Sequence, residues 1–299
     1  MLKDMKAHIT ILLSALCFNL AFSEENAPEP ANWNTLARSW DGAAEISHYN
    51  LKQSRYGKIR EGEAVMIFTR EPFLKDRQVK DESGAGNYRV LKLNILRSFN
   101  TGVYPYRTMR SVFQPLEKNS AGKALKVTTS IQEWCGHVFV QTNRRNGKLR
   151  TDMKSYFENE EGQTFEAKSS TLLEDEIWTA LRVDPTGLPV GPCSIIPGSL
   201  HCRFSHQKPT AASANTRWLA GSKGQTLIYE ISYPQTGRTL AIEISKNLPY
   251  EIEGWTESSR FQGLLSEGTL VKRVNNIDYW NYNDEAEGKK LRKTLKLRP

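Results

Sequence analysis

The side chains best suited to chemistry crowd into two short windows. In Gln132-Glu133-Trp134-Cys135-Gly136-His137-Val138 a carboxylate, a thiol and an imidazole recur at every second position. On a strand such positions share one face, so Glu133, Cys135 and His137 are expected side by side. A thiolate next to an imidazole is the pairing a cysteine nucleophile needs, with the carboxylate free to orient the ring. Cysteine nucleophiles, however, usually stand at a helix start or a sharp turn, with the histidine distant in sequence. The competing reading is a small buried thiol that packs the interior of a curved sheet, with Gly136 admitting a bulge or a neighbouring backbone. Cys135, His137 and Glu133 are therefore the catalytic candidates of a hydrolase or transferase, set against a reading that leans to no catalysis.

The second window is Cys193-x8-Cys202-x3-His206, with His201 adjacent. Cys193, Cys202 and His206 are metal-ligand candidates, but the spacing matches no common zinc module. In an oxidising compartment a simpler use is a Cys193 to Cys202 disulfide closing a short Pro/Gly-rich loop. Cys135 would then be the odd thiol, which survives best when buried. Two acidic runs, Glu158, Glu160 and Glu161, and Glu174, Asp175 and Glu176, are expected to be solvated, in a loop and on the outer face of a helix. There is no G-x-S-x-G elbow, P-loop, G-x-G-x-x-G or H-E-x-x-H, so common nucleotide-dependent and serine hydrolase chemistry is disfavoured and no cofactor is implied. Aromatics gather at Tyr104-Pro105-Tyr106 and Tyr279-Trp280-Asn281-Tyr282. With Trp134 they give the ligand-binding candidates Tyr104, Tyr106, Trp134 and Trp280, able to stack on sugars or line a greasy pocket, against a plainer role as core plugs.

The elements that must position these residues read as β. Alternating or continuous apolar runs at 44–51, 64–68, 88–96, 112–113, 125–131, 138–142, 226–233, 239–244 and 250–255 predict many short strands, hence a mainly β fold: a curled antiparallel sheet or a barrel-like one. Pro234-Gln235-Thr236-Gly237-Arg238 reads as a hairpin turn. One prominent amphipathic helix is predicted around 172–183. Thr171-Leu172-Leu173-Glu174 resembles a capping box, Leu173, Ile177, Ala180 and Leu181 form a stripe to lie against a sheet, and Pro185 stops it. The Pro/Gly density over 185–209 predicts an irregular connector between an N-terminal half, 33–184, and a C-terminal half, 210–288, compatible with one domain.

The termini speak to address. Lys3 and Lys6, an apolar run from Ile9 to Phe22 and the small-x-small Ala21-Phe22-Ser23 read as a signal peptide over 1–23, followed by a flexible lead-in, 24–32. The run is too short to span a bilayer, and no lipobox surrounds Cys17. The expectation is an exported chain, periplasmic or in the outer envelope, soluble or peripheral, with no transmembrane span in its mature form. Of the formal net charge of +8, the signal carries +1 and the last eleven residues +6, leaving the body nearly neutral. The basic tail 289–299 has two readings. Lys289, Lys290, Arg292 and Lys293 could meet an anionic surface, or the alternation Thr294-Leu295-Lys296-Leu297-Arg298 could form a half-buried terminal strand. Nucleic acid is disfavoured by the exported address and by the lack of any nucleic-acid motif. The favoured partner is an unidentified ligand, a lipid or a glycan, held in the concavity of the sheet. A metal-binding envelope protein is a further alternative.

Several segments carry a resemblance. Trp40-Asp41-Gly42-Ala43-Ala44-Glu45, Gln53-Ser54-Arg55-Tyr56-Gly57, Arg60-Glu61-Gly62, Lys92-Leu93-Asn94, Phe99-Asn100-Thr101-Gly102-Val103-Tyr104-Pro105-Tyr106 and Gln132-Glu133-Trp134-Cys135-Gly136-His137 resemble a family of exported bacterial proteins with no established activity. Its members are often labelled "septum formation inhibitor Maf". The resemblance runs from about Trp40 to Tyr282 and implies a bacterial envelope setting without a mechanism. The Ser-x-Ser-Pro-Arg-Arg phosphate motif of the Maf nucleotide pyrophosphatases is absent from this sequence.

Overall fold

The computed structural model of the chain describes residues 23–28, 40, 42–86, 88–117, 123–258 and 264–298. The expected signal peptide lies outside these residues except for Ser23. Sixteen strands form among them: β1 Ala44–Arg55, β2 Lys58–Leu74, β3 Val79–Lys80, β4 Arg89–Thr101, β5 Tyr104–Pro115, β6 Lys126–Glu133, β7 Gly136–Arg145, β8 Lys148–Ser155, β9 Thr164–Lys168, β10 Leu172–Leu173, β11 Gly191–Ile196, β12 Ala212–Ala220, β13 Thr226–Tyr233, β14 Arg238–Ser245, β15 Ile252–Ser258 and β16 Ser266–Ile277. Helices α1, Glu174–Val183, and α2, Ser199–Ser205, flank β11, and α3, Glu285–Thr294, follows β16.

All strands but β3 lie on one path, β10-β11-β12-β13-β14-β15-β16-β1-β2-β4-β5-β6-β7-β8-β9. Only the β10–β11 pair is parallel. Laid flat, fourteen inter-strand gaps of about 4.8 Å would set β10 and β9 roughly 67 Å apart. Yet β9 ends at Lys168 and β10 begins at Leu172, and four residue steps reach at most about 14 Å. The sheet must therefore curl until its two edges approach, and it does so without closing into a barrel. β1 pairs with both β2 and β16, so the two expected halves contribute to one sheet. The start of the expected lead-in is hydrogen-bonded to that sheet: Glu24 bridges Leu219, on the flank of β12 beyond its pairing with β11.

The concave face collects the inward half of each alternation, such as Leu91, Leu93 and Ile95 on β4 and Leu240, Ile242 and Ile244 on β14. Against them lies α1, every residue of which is buried. Its start differs from expectation: the N-cap is Leu173, whose N–H donates to Glu176 Oε1 at 2.9 Å, and since leucine offers no side-chain acceptor in return, only this half of a capping box forms, two residues later. Asp184 and Pro185 end it as expected. The connector 185–209 is more regular than its composition suggests, since it holds β11 and α2.

The expected terminal strand over 294–298 does not form: α3 closes at Thr294, and the chain turns at Leu295 and Lys296, the latter at φ 57°. Asp284 accepts from the N–H groups of Ala286 and Glu287, Glu285 pairs with Lys289 one turn on, and Arg292 and Lys293 fill the last turn. N-cap, macrodipole and i,i+4 pairing favour helix over 285–294, and the turn that ends it takes the residues of the five-residue alternation out of strand geometry.

Candidate functional site

Because neighbouring strands are antiparallel, the tips of β1–β2, β4–β5, β6–β7 and β8–β9, together with the segment carrying α2, gather at one end of the curl. The first window sits there. Glu133 pairs with Gly136, so Trp134-Cys135 is a two-residue hairpin tip rather than strand. Two expectations are corrected by this turn. Cys135 is exposed, and the three residues do not share a face: Glu133 follows buried Ile131 on the concave side, whereas His137 precedes buried Val138 and faces outward. Glu133 Oε2 accepts from the Cys135 N–H at 2.9 Å. The same carboxylate, by hydrogen bonding and like-charge repulsion, pushes the thiol above its ordinary value. A nucleophile needs the opposite shift.

Three of the four aromatic candidates come together at this end. The Tyr104 ring lies 6.4 Å from Trp134 and 6.0 Å from Tyr106. Tyr106 stacks on Phe99 at 5.1 Å, and its hydroxyl meets that of Tyr56 at 3.0 Å. Arg55 fastens α2 to this cluster by donating to the Phe204 carbonyl at 2.8 Å and lying 4.5 Å over the Phe204 ring. Trp134 remains 68% exposed. Trp280 belongs elsewhere, in a single turn after β16, against Tyr279.

The second window does not assemble. Cys193 and Cys202 are free thiols, which corrects the expected disulfide. The ladder with β12 fixes Cys193 opposite Ala214, and β11 continues three residues, about 10 Å of strand, before the chain bends into α2. Buried Cys202 has its sulfur 3.5 Å from the Pro197 carbonyl, and burial pushes its thiol up. His206 ends α2 with φ 54° and meets Glu160 at 3.4 Å. Among the described residues no group of three or more His, Cys, Asp or Glu side chains could hold a metal ion.

The acidic residues of α1 depart furthest from the solvated role expected of them. Glu174, Asp175 and Glu176 are all buried. Each meets an arginine from a different strand: Glu174 takes a bidentate pair with Arg238 of β14, Asp175 pairs with Arg110 of β5, and Glu176 with Arg144 of β7 at 2.8 Å. Arg238 also donates from Nε to Glu257 at 2.8 Å, which in turn lies 3.3 Å from His201. Burial penalises ionised Glu174, but the charge and hydrogen bonds of Arg238 outweigh it and hold the carboxyl below its ordinary range. At Glu176 burial wins over Arg144, and the carboxyl is raised. At the other end of α1, Arg182 forms a bidentate pair with Glu45. The concavity is thus filled by the protein's own helix and its ion pairs.

Open volume lies on the outer face instead. A groove of about 430 Å³ runs across β2, β4, β5 and β6 to the C-terminal segment. Its floor is Val65, Ile67, Leu96 and Met109, and its flanks include Arg107, His137 and Arg292. The C-terminal segment is held beside it by two long-range bonds: His48 Nδ1 donates to the Leu295 carbonyl at 3.0 Å, and the Arg298 N–H donates to Glu63 Oε2 at 3.2 Å. Lys289, Lys290, Arg292 and Lys293 stay exposed on α3. The signal for the floor was the run Ala64-Val65-Met66-Ile67-Phe68, apolar on both faces of the strand. Among the described residues no helix is long and apolar enough to cross a membrane. Comparison with protein-family models, with curated proteins and with solved structures finds no match for this chain.

Proposed function

We propose that this chain is an exported, non-catalytic binding protein of the bacterial envelope that holds a single-chain amphiphile with an anionic head. The tail lies on Val65, Ile67, Leu96 and Met109, and the head meets Arg107 and Arg292. The observation that carries this reading is the groove itself: about 430 Å³ with an apolar floor and cationic flanks, within the usual size of small-molecule sites. Its one lining carboxylate, Glu63, already accepts from the Arg298 backbone N–H. The exposed lysines of α3 add attraction to an anionic surface. Thiol catalysis loses support from the upward push of Glu133 on Cys135.

Titration of the full chain with a fluorescent fatty acid tests this. Saturable one-to-one binding is expected, weakened at least tenfold, about 1.4 kcal/mol, by Leu96→Asp, which puts a carboxylate in the floor. Absence of saturable binding, or equal binding by folded Leu96→Asp protein, overturns it. The exposure of Trp134 beside Tyr104 supports a second reading, a glycan stacked on the hairpin tips. Oligosaccharide binding abolished by Trp134→Ala and untouched by Leu96→Asp would favour it.

A further inference from the structure

The strand register sets four turns along one rim of the curl. Arg55 pairs with Lys58, Thr101 with Tyr104 and Glu133 with Gly136, so Tyr56-Gly57, Gly102-Val103 and Trp134-Cys135 are two-residue tips. Tyr156-Phe157 opens the turn after β8. Successive tips are two strands apart, so the four span roughly 30 Å. In the ladders that join them, Gly62 faces Phe99, Arg107 faces Gln132 and Val138 faces Ser155, which sets each tip one or two residues back from the one before. Tilted strands in a curled sheet need such a stagger for their rim to be level.

The rim is apolar. Four of the five most exposed large hydrophobics among the described residues stand on it: Val103 at 78%, Tyr156 at 76%, Trp134 at 68% and Tyr56 at 58%. None of the eight tip residues is Asp, Glu, Lys or Arg, in a chain that is 25% charged. Glu133, next to one tip, is turned onto the Cys135 N–H. Exposed Lys58, just behind another, is long enough to reach a phosphate beyond the tip. Val103 has no ring face to stack on a sugar, and the rings do not form one platform: Tyr104 is inclined 33° to Trp134 and 42° to Tyr106. Separate apolar prongs at a common level, Trp and Tyr among them, match a bilayer, where such rings keep their polar atoms at the headgroups. The outer groove ends beside them. Arg107, Gln132 and His137, all lining it, form one row across β5, β6 and β7, about 7 Å behind the Trp134-Cys135 tip.

We infer that this rim docks on a phospholipid bilayer, with Tyr56, Val103, Trp134 and Tyr156 at the boundary of headgroups and acyl chains and the groove opening onto the leaflet. What docking serves rests on the amphiphile reading; docking itself does not, so the two fail separately.

The test is flotation of the protein, purified from the cells that make it, with vesicles of phosphatidylethanolamine and phosphatidylglycerol at about 0.1 M and about 0.5 M salt. Bound protein is expected at both, because apolar insertion escapes the screening that removes the attraction of the α3 lysines. Val103→Asp, at a site open to solvent, is expected to weaken partitioning at least about tenfold, and Val103→Leu to keep it. Leu96→Asp is expected to float like the parent. A parent that floats but binds no fatty acid sinks the groove reading and leaves docking supported. No flotation of the parent, flotation at the lower salt alone, or a Val103→Asp protein that floats equally overturns the inference. Oligosaccharide binding that Trp134→Ala abolishes and vesicles leave unchanged overturns it too.

Discussion

Arg238→Met removes a guanidinium that serves buried Glu174 and half-buried Glu257 while preserving a long apolar stem. Arg238 is itself 2% exposed, forks onto Glu174 through both Nη atoms and reaches Glu257 through Nε. The variant leaves Glu174 with only the Tyr233 hydroxyl at 2.6 Å and Glu257 with His201 at 3.3 Å. Orphaning one buried charge costs about 3–5 kcal/mol. Here buried Glu174 is orphaned, half-buried Glu257 adds a smaller penalty, and each keeps a polar neighbour, so a loss of about 4 kcal/mol is expected, against a total of roughly 5–15 kcal/mol for a folded domain. Urea unfolding at pH 7 reads this as a midpoint lower by about 1.3 M at an unchanged slope of about 3 kcal/mol/M.

The pH dependence is a second, signed readout. In the parent, burial opposes ionisation of both carboxyls, but Arg238 outweighs it, so Glu174 is held below and Glu257 well below its ordinary value. Their contribution is therefore present above about 4.5, the unfolded value, and is lost as pH falls through the folded values. In the variant, burial acts without its counterweight and the folded values rise above the unfolded ones. Stability then grows as pH falls toward 4.5, and the gap to the parent narrows. A loss under about 1 kcal/mol at pH 7, or a gap that stays constant between pH 7 and 4.5, refutes the reasoning.

Three further outcomes are expected. Burial lowers the His48 pKa below 6.5 more than Glu63 raises it, with Arg298 adding to the lowering. Its contribution is in place above the unfolded value and lost as pH falls through the folded one, so hydrogen exchange over 285–298 should quicken on acidification, and His48→Asn, which keeps a donor toward Leu295, should flatten that response. At Gly268 an added Cβ would stand 2.1 Å from the buried Trp255 ring, so Gly268→Ala should cost about 3 kcal/mol in denaturant unfolding, while Gly102→Ala, at φ +63° with nothing near, should cost only about 1–2 kcal/mol of backbone strain. Cys135→Ser should change stability by less than about 0.5 kcal/mol, and alkylation of Cys135 should accelerate only at alkaline pH, whereas Cys202 should stay unreactive until the chain unfolds.

What sequence reveals here is what local physics decides. Strand alternation on β4, β13 and β14, the turn before Arg238 with Gly237 at φ 61°, and the stop at Asp184-Pro185 all follow from residues adjacent in the chain. The EWCGH segment misled because a two-residue hairpin tip interrupts the alternation without any Gly-Asn signal to mark it. Glu174, Asp175 and Glu176 read as solvated because their partners, Arg238, Arg110 and Arg144, lie more than thirty residues away. The groove was hidden for a related reason: Leu96 and Met109 alternate correctly for a strand, and only the placement of α3 shows which outward apolar residues form a floor.

The most direct test of the binding account is native mass spectrometry of the protein extracted from the cells that make it. One adduct per chain with the mass of a single-chain anionic amphiphile is expected, absent from Leu96→Asp protein prepared in the same way. A bare polypeptide mass for the parent, or an adduct that Leu96→Asp protein retains in full, would contradict it.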